Sequence, residues 1–179
     1  MGSTPGVTLS VPGGEPLELG AVAEIVALVN EAYTGAERGI WLGSVERTNA
    51  AEVAAHAALG ELVIAWMDGR PVGAVFVRRL ADGIGWFGAL GVAPAHAGRG
   101  IGGRLVAYAE AVMRDAGAAE MRLELLVPEG GHPHTERLAA WYRRLGYRQT
   151  ETADLADVDP GTLSHLRVPC SVAIMRRAL

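Results

Sequence analysis

The stretch 95–110, AHAGRGIGGRLVAYAE, sets glycines at positions 98, 100, 102 and 103 immediately ahead of a helix-like run. The first turn of a helix leaves backbone N–H groups unpaired, and its dipole favours an anion there. Glycines let the backbone approach phosphate oxygens closely. Such a loop can hold a phosphate or pyrophosphate; the plain alternative is a glycine-rich turn without a ligand. Gly98, Gly100 and Gly103 also spell G-x-G-x-x-G, with Glu120 and Glu124 roughly 20 residues on, as in a nicotinamide dinucleotide site. That site needs its first glycine directly after a strand of a βαβ unit, whereas Pro94 to Ala97 intervene here and antiparallel hairpins precede. The dinucleotide reading is therefore set aside. His132 and His134 could move protons, because imidazole titrates near neutrality. The HPH at 132–134 offers two metal ligands with no third in view, so no metal is expected.

Elements must position these groups. Residues 20–33 carry Val22, Ile25, Val26 and Val29 at helical spacing, and 34–47 lose that period as a loop. Residues 48–58 read as a helix capped by Thr48 or Asn49. ELVIAWM (61–67) and RPVGAVFVRRL (70–80) read as strands joined at Asp68-Gly69, and IGWFGALGV (84–92) as a third strand closed by Pro94. Ile101, Leu105, Tyr108 and Val112 share one helix face after the glycine loop, with Gly117 beyond its end. EMRLELLV (120–127) is a strand, 128–134 a loop, and 135–145 a helix with Leu138, Trp141, Tyr142 and Leu145 in its apolar stripe. A short strand (147–152), an acidic loop (153–165) and a final strand (167–177) complete the chain. The order predicts an α/β fold with a mixed sheet, a meander followed by a strand–helix–strand crossover.

Composition narrows the classes. The 179 residues suit one domain, 1–179, without repeats or linkers, and half are hydrophobic. The net charge of -4 speaks against nucleic-acid and anionic-membrane partners. All 16 positive residues are arginine, which with the abundant alanine and glycine suggests a GC-rich bacterial source. Cys170 is the only cysteine, in the apolar run RVPCSVAIM, so it reads as a buried structural thiol that cannot form an intrachain disulfide. The N-terminus lacks the basic and apolar regions of a signal peptide, no apolar run is long enough to span a membrane, and a cytoplasmic location is expected.

The segment VAPAHAGRGIGGRL (92–105) resembles the acyl-CoA-binding motif of the GNAT superfamily of N-acetyltransferases, Arg/Gln-x-x-Gly-x-Gly/Ala after a strand ending in Val-x-Pro. LAAWYRRLGY (138–147) is similar to the same family's Phe-Tyr-x-x-x-Gly-Phe element. The resemblance covers nearly the whole chain and implies a GNAT-like mixed central sheet of about six to seven strands flanked by about four helices. It implies acetyl-CoA as acyl donor. Gly98, Arg99, Gly100, Ile101, Gly102 and Gly103 would offer N–H groups to the CoA pyrophosphate. Leu90, Gly91 and Val92 would pair with the pantetheine arm, and the Val92 N–H would polarise the thioester carbonyl. Tyr142 takes the place of the general acid that protonates the leaving thiolate. Ala97 stands where the family prefers Arg or Gln, with Arg99 a substitute. Thr135 stands where many members have an Asn that touches CoA. Trp86 stands where many have a glutamate that relays the amine proton, so the base must be Glu124, His132 or His134, or the amine arrives neutral.

The acceptor side of the family's site corresponds here to Tyr33, Glu37, Arg38, Trp41 and Trp86, and to the acidic run Glu151, Asp154, Asp157 and Asp159. Aromatic rings beside a carboxylate can hold a cationic amine, with Trp41 and Glu37 foremost. The expected activity is direct acetyl transfer to a small-molecule primary amine. The alternatives are a protein N-terminal or side-chain acetyltransferase and a non-catalytic CoA-binding sensor module. A homodimer through the C-terminal strands is compatible with this reading.

Overall fold

The computed structural model describes residues 6–13 and 16–179. Its elements run β1 (Thr8–Ser10), α1 (Leu19–Ala36), α2 (Ala50–Ala58), β2 (Leu62–Met67), β3 (Arg70–Arg79), β4 (Gly85–Val92) and α3 (Ile101–Asp115). They continue with β5 (Glu120–Pro128), α4 (Pro133–Arg144), β6 (Arg148–Asp154), α5 (Leu155–Val158) and β7 (Cys170–Ala178). The strands form one seven-stranded sheet in the order β1-β2-β3-β4-β5-β7-β6. Only β4 and β5 pair in parallel, across the α3 crossover; the other neighbours are antiparallel.

Alternation along the strands sends side chains to two cores. Val75 and Val77 of β3 join Phe87, Leu105 and Met121 on the α3 face, while Ala74 and Phe76 join Ile25, Val29 and Val53 on the α1 and α2 face. The β2–β3 hairpin turns at Asp68-Gly69, both with positive φ (51° and 78°), as a two-residue hairpin turn demands. Asn49 caps α2, its side chain accepting from Glu52 N–H at 3.0 Å.

The mixed sheet, the meander and the crossover agree with the sequence reading; four local features differ. β1 was not anticipated: three residues are too few to show a period, and the strand is held by its ladder with β2. The acidic segment is structured, with α5 capped by the Asp154 carboxylate, which accepts from Ala156 N–H, and a 3-10 helix at Pro160–His165. α4 starts at Pro133, whose fixed φ suits a first turn, rather than at 135. The buried face of α3 is rotated from the predicted stripe and includes Val106, Ala109, Glu110 and Met113. Glu110 is tolerated there because its carboxylate accepts from the Tyr147 hydroxyl at 2.7 Å and from Arg177 Nη1 at 2.9 Å.

Candidate active site

The site begins where two strands part. β4 and β5 are in register only at Gly85–Met121 and Trp86–Arg122. Beyond Trp86 a gap opens between them. Ala74 pairs with Gly91 and Phe76 with Gly88, so Ala89 and Leu90 together oppose Val75 in a bulge, with Ala89 at φ 49°. Ala93 N–H donates to Val72 O at 2.9 Å on the β3 side. By strand alternation the Val92 N–H then points the other way, into the gap. Gly91 is where α1 crosses β4: a Cβ there would lie 3.0 Å from Val29 Cα.

The glycine loop meets the N-terminus of the 15-residue α3. Gly98 and Gly100 have φ of 75° and 77°, and a Cβ at 98, 100 or 103 would meet nothing within 4 Å. The cradle is thus open and fits an anion approached by backbone N–H groups. Ala97 and Arg99 are exposed beside it. The Ile101 side chain turns into the core, leaving only its backbone to the loop. Gly102 faces the Trp141 ring, 3.7 Å from a Cβ position.

Two cavities flank the gap. One, about 240 Å³, is lined by Val92, Gly102, His134, Thr135 and Trp141 and opens beside the glycine loop. The other, about 170 Å³, is lined by Trp41, Arg47, Trp86, Glu124 and Asp159. Tyr33, Glu37, Leu90 and Tyr142 line both. The structure therefore brings together Tyr33, Glu37, Trp41, Trp86, Glu124 and Tyr142, all named from the sequence. His132 goes elsewhere: its Nε2 lies 3.2 Å from Arg38 O, and it lines neither cavity. Of the acidic run, Asp159 lines the second cavity and is unpaired among the described residues, while Asp154 serves as a cap.

The charges in the site are arranged in pairs. Glu37 accepts from Arg47 Nη2 at 2.7 and 2.8 Å and from Trp41 Nε1 at 2.6 Å. Its charge is thus offset, so the expected Glu37–Trp41 trap for a cationic amine is in fact a neutral ion pair beside an indole. Glu124 Oε1 accepts from Arg122 Nη2 at 2.6 Å, and its Oε2 has the longer 3.4 Å contact with Trp86 Nε1. Arg47 was not singled out from the sequence. Its partner lies ten residues away across an irregular loop, which leaves no periodic signal. Asn30 fixes it, the side-chain oxygen accepting from Arg47 N–H and Thr48 N–H at 2.7 and 3.0 Å.

Burial sets the acidities. The Tyr142 phenol is pushed well above its ordinary value by burial, and the neighbouring Tyr33 adds to the shift. Burial also raises Tyr33, while the Arg47 guanidinium, 4.3 Å from its ring centroid, pulls the other way. Burial, with Arg137 and His132 nearby, lowers His134 below the usual imidazole value. Burial first, then Glu37 and Glu129, push the Cys170 thiol up to about 11, so it stays protonated at neutral pH.

Two loops meet beside the second cavity, where Trp41 lines its wall. Leu42 N–H donates to His165 O at 2.7 Å, Arg167 N–H donates to Ile40 O at 2.8 Å, and Trp41 bridges Leu166. The loop after α1 and the loop before β7 are thereby joined. Among the described residues no group of three or more His, Cys, Asp or Glu gathers, and no helix is long and apolar enough to cross a membrane.

A gap beside a β4 bulge, a glycine loop at a helix N-terminus and a buried tyrosine between two cavities lie together in one region of the fold. The chain belongs to the GNAT acetyltransferases: the acetyltransferase (GNAT) domain model matches residues 58–149. The fold is similar to that of PaiA N-acetyltransferase from Thermoplasma acidophilum in complex with coenzyme A (TM-score 0.71, 15% identity, 97% of this chain and 99% of that one). It is also similar to an aminoglycoside 6'-N-acetyltransferase complexed with coenzyme A (TM-score 0.66, 16% identity, 96% of each chain). A third similar structure is a Bacillus anthracis str. Ames protein described as a streptothricin acetyltransferase, with acetyl coenzyme A (TM-score 0.54, 14% identity, 66% of this chain). The chain spans 61% of that protein's length. A sequence comparison with curated proteins finds no match.

Proposed function

We propose that this chain transfers an acetyl group from acetyl-CoA directly to a primary amine of a small molecule, without a covalent enzyme intermediate, in a bacterial cytoplasm. The observation that carries the reading is the meeting of the two cavities at Tyr142 and Leu90, beside N–H groups turned into the gap. Gly98 to Gly103 would hold the pyrophosphate, with Thr135 beside it and Leu90 to Val92 along the pantetheine arm. Acetyl-CoA supplies the activated acyl carbon. The Val92 N–H polarises the carbonyl and supports the oxyanion. Tyr142 stands where it can give its proton to the departing sulfur, although burial, by raising its pKa, makes the phenol a weaker acid than a free one. Glu124 supports the role of base: Arg122 fixes one oxygen, and the other has only the long Trp86 contact, free to receive the amine proton.

The test is a thermal-shift titration with acetyl-CoA, CoA and NAD, followed by mass-spectrometric detection of acetylated products from an amine panel. At a hundredfold excess over Kd, acetyl-CoA should raise the Tm by about 5–11 °C. Tyr142→Phe should retain that shift and lose turnover. A response to NAD alone, or an unaffected Tyr142→Phe, overturns the reading.

A further inference from the structure

The geometry points to Tyr33 as a second catalytic hydrogen-bond donor, its hydroxyl standing with the Val92 N–H at the reacting carbonyl, and to Arg47 as the residue that positions it. This rests on the proposed acetyl transfer. Tyr33 sits on the last turn of α1 and, like Tyr142, lines both the cavity beside the glycine loop and the acceptor cavity. Its hydroxyl approaches the backbone of Leu90, a residue of the β4 bulge. Leu90 and Val92 are two apart, so their N–H groups share the side of the strand that faces the gap. A phenol at this point has its oxygen against one N–H and its own O–H free to donate onward.

The surroundings are built to hold that phenol. The Arg47 guanidinium lies 4.3 Å from the Tyr33 ring centroid and 6.0 Å from that of Trp41. Its Nη2 is fixed on both oxygens of Glu37, which is one helical turn after Tyr33, and Trp41 Nε1 locks the same carboxylate. Arg47 is in turn seated by Asn30, one turn before Tyr33. Three residues of one helix edge, Asn30, Tyr33 and Glu37, thus clamp a cation onto the phenol. Burial raises the Tyr33 pKa and Glu37 adds to the rise, while the guanidinium on the ring face opposes it and so keeps the phenol a better donor than burial alone would leave it.

In the reaction the amine nitrogen bonds the carbonyl carbon and the C=O pair moves to oxygen, where the Val92 N–H and Tyr33 O–H meet it. Collapse re-forms C=O and breaks C–S. Sulfur leaves with the bonding pair and takes the Tyr142 proton, and the proton shed by nitrogen returns by way of Glu124 to restore the phenol. Tyr33 exchanges no proton.

The test uses the intact chain with saturating acetyl-CoA and the best amine of the panel. Tyr33→Phe should lower kcat about 100-fold, with the acetyl-CoA Kd within twofold of wild type and Tm unchanged. Replacing Tyr33 by 3-fluorotyrosine should restore most of kcat, and Arg47→Met should lower kcat without weakening acetyl-CoA. A Tyr33→Phe variant that keeps a third or more of kcat overturns the assignment and leaves the proposed function standing. So does a loss of kcat matched by losses in acetyl-CoA affinity and Tm, which marks a structural role. A wild-type chain that binds no acetyl-CoA overturns both.

Discussion

The crossing of α1 over β4 predicts the behaviour of Gly91→Ala. A Cβ at residue 91 would lie 3.0 Å from Val29 Cα and 3.2 Å from Val29 Cγ2. Carbon atoms rest about 3.5–4.0 Å apart, so one partner must give by a few tenths of an ångström. Val29 is fully buried, and the nearest atom is backbone, so no rotamer change relieves the contact. The helix has to move. Overpacking of this kind costs about 1–3 kcal/mol, and for a chain of this length that is a fall in Tm of about 2–12 °C. Tyr33 and Glu37 lie one and two turns farther along the same helix edge, so the shift reaches the transfer point. A misplacement approaching 1 Å there should reduce kcat by up to about 100-fold. Gly91 lies along the proposed pantetheine arm and α1 lines the cavity beside the glycine loop, so acetyl-CoA affinity should fall as well. Differential scanning fluorimetry and steady-state kinetics on the same preparation read both effects. A variant with wild-type Tm and wild-type kcat would refute the close approach and the argument that α1 carries the acceptor side of the site.

Three further outcomes follow from other contacts. Gly103 lies in the first turn of α3 with open space at its Cβ position, so Gly103→Ala should stabilise the free chain by about 0.5–1 kcal/mol, measured by urea unfolding. The same methyl group should weaken acetyl-CoA binding in calorimetry, because it stands where the anion approaches. Tyr147→Phe removes the donor to buried Glu110 and should cost about 1.5–3 kcal/mol in urea unfolding, with kcat unchanged. His134 has its pKa lowered by burial, so on acidification the unfolded chain takes up this proton before the folded one does. Its contribution to stability is complete above about pH 6.5 and is lost as pH falls below that value. The Tm of wild type should therefore drop more between pH 7 and 5 than that of His134→Asn, and equal slopes would remove His134 as a source of the acid sensitivity.

What the sequence revealed follows from what local patterns encode. The crossover and its loop were legible because glycine spacing, helical period and the Val-x-Pro strand end each have a local cause. The acceptor aromatics were legible by type, and the structure gathers Tyr33, Trp41 and Trp86 in one cavity. The pairing of charges was not. Arg47 and Glu37 meet because Asn30 holds the start of α2 against α1, a tertiary contact with no period. The seating of His132 on Arg38 O likewise depends on two loops 94 residues apart in the chain. The three-residue β1 escaped because its pairing with β2, rather than its composition, defines it.

The two loops beside the second cavity are tied by main-chain atoms: Leu42 to His165, Arg167 to Ile40, and the Trp41–Leu166 bridge. Every residue except proline brings the same N–H and C=O to such a tie. Apart from Trp41, whose indole holds Glu37, the side chains at these ties are therefore at liberty to change while the two loops stay joined. Acceptor preference can drift, or be redesigned, one loop residue at a time, with neither the glycine loop nor the tie between the loops at risk.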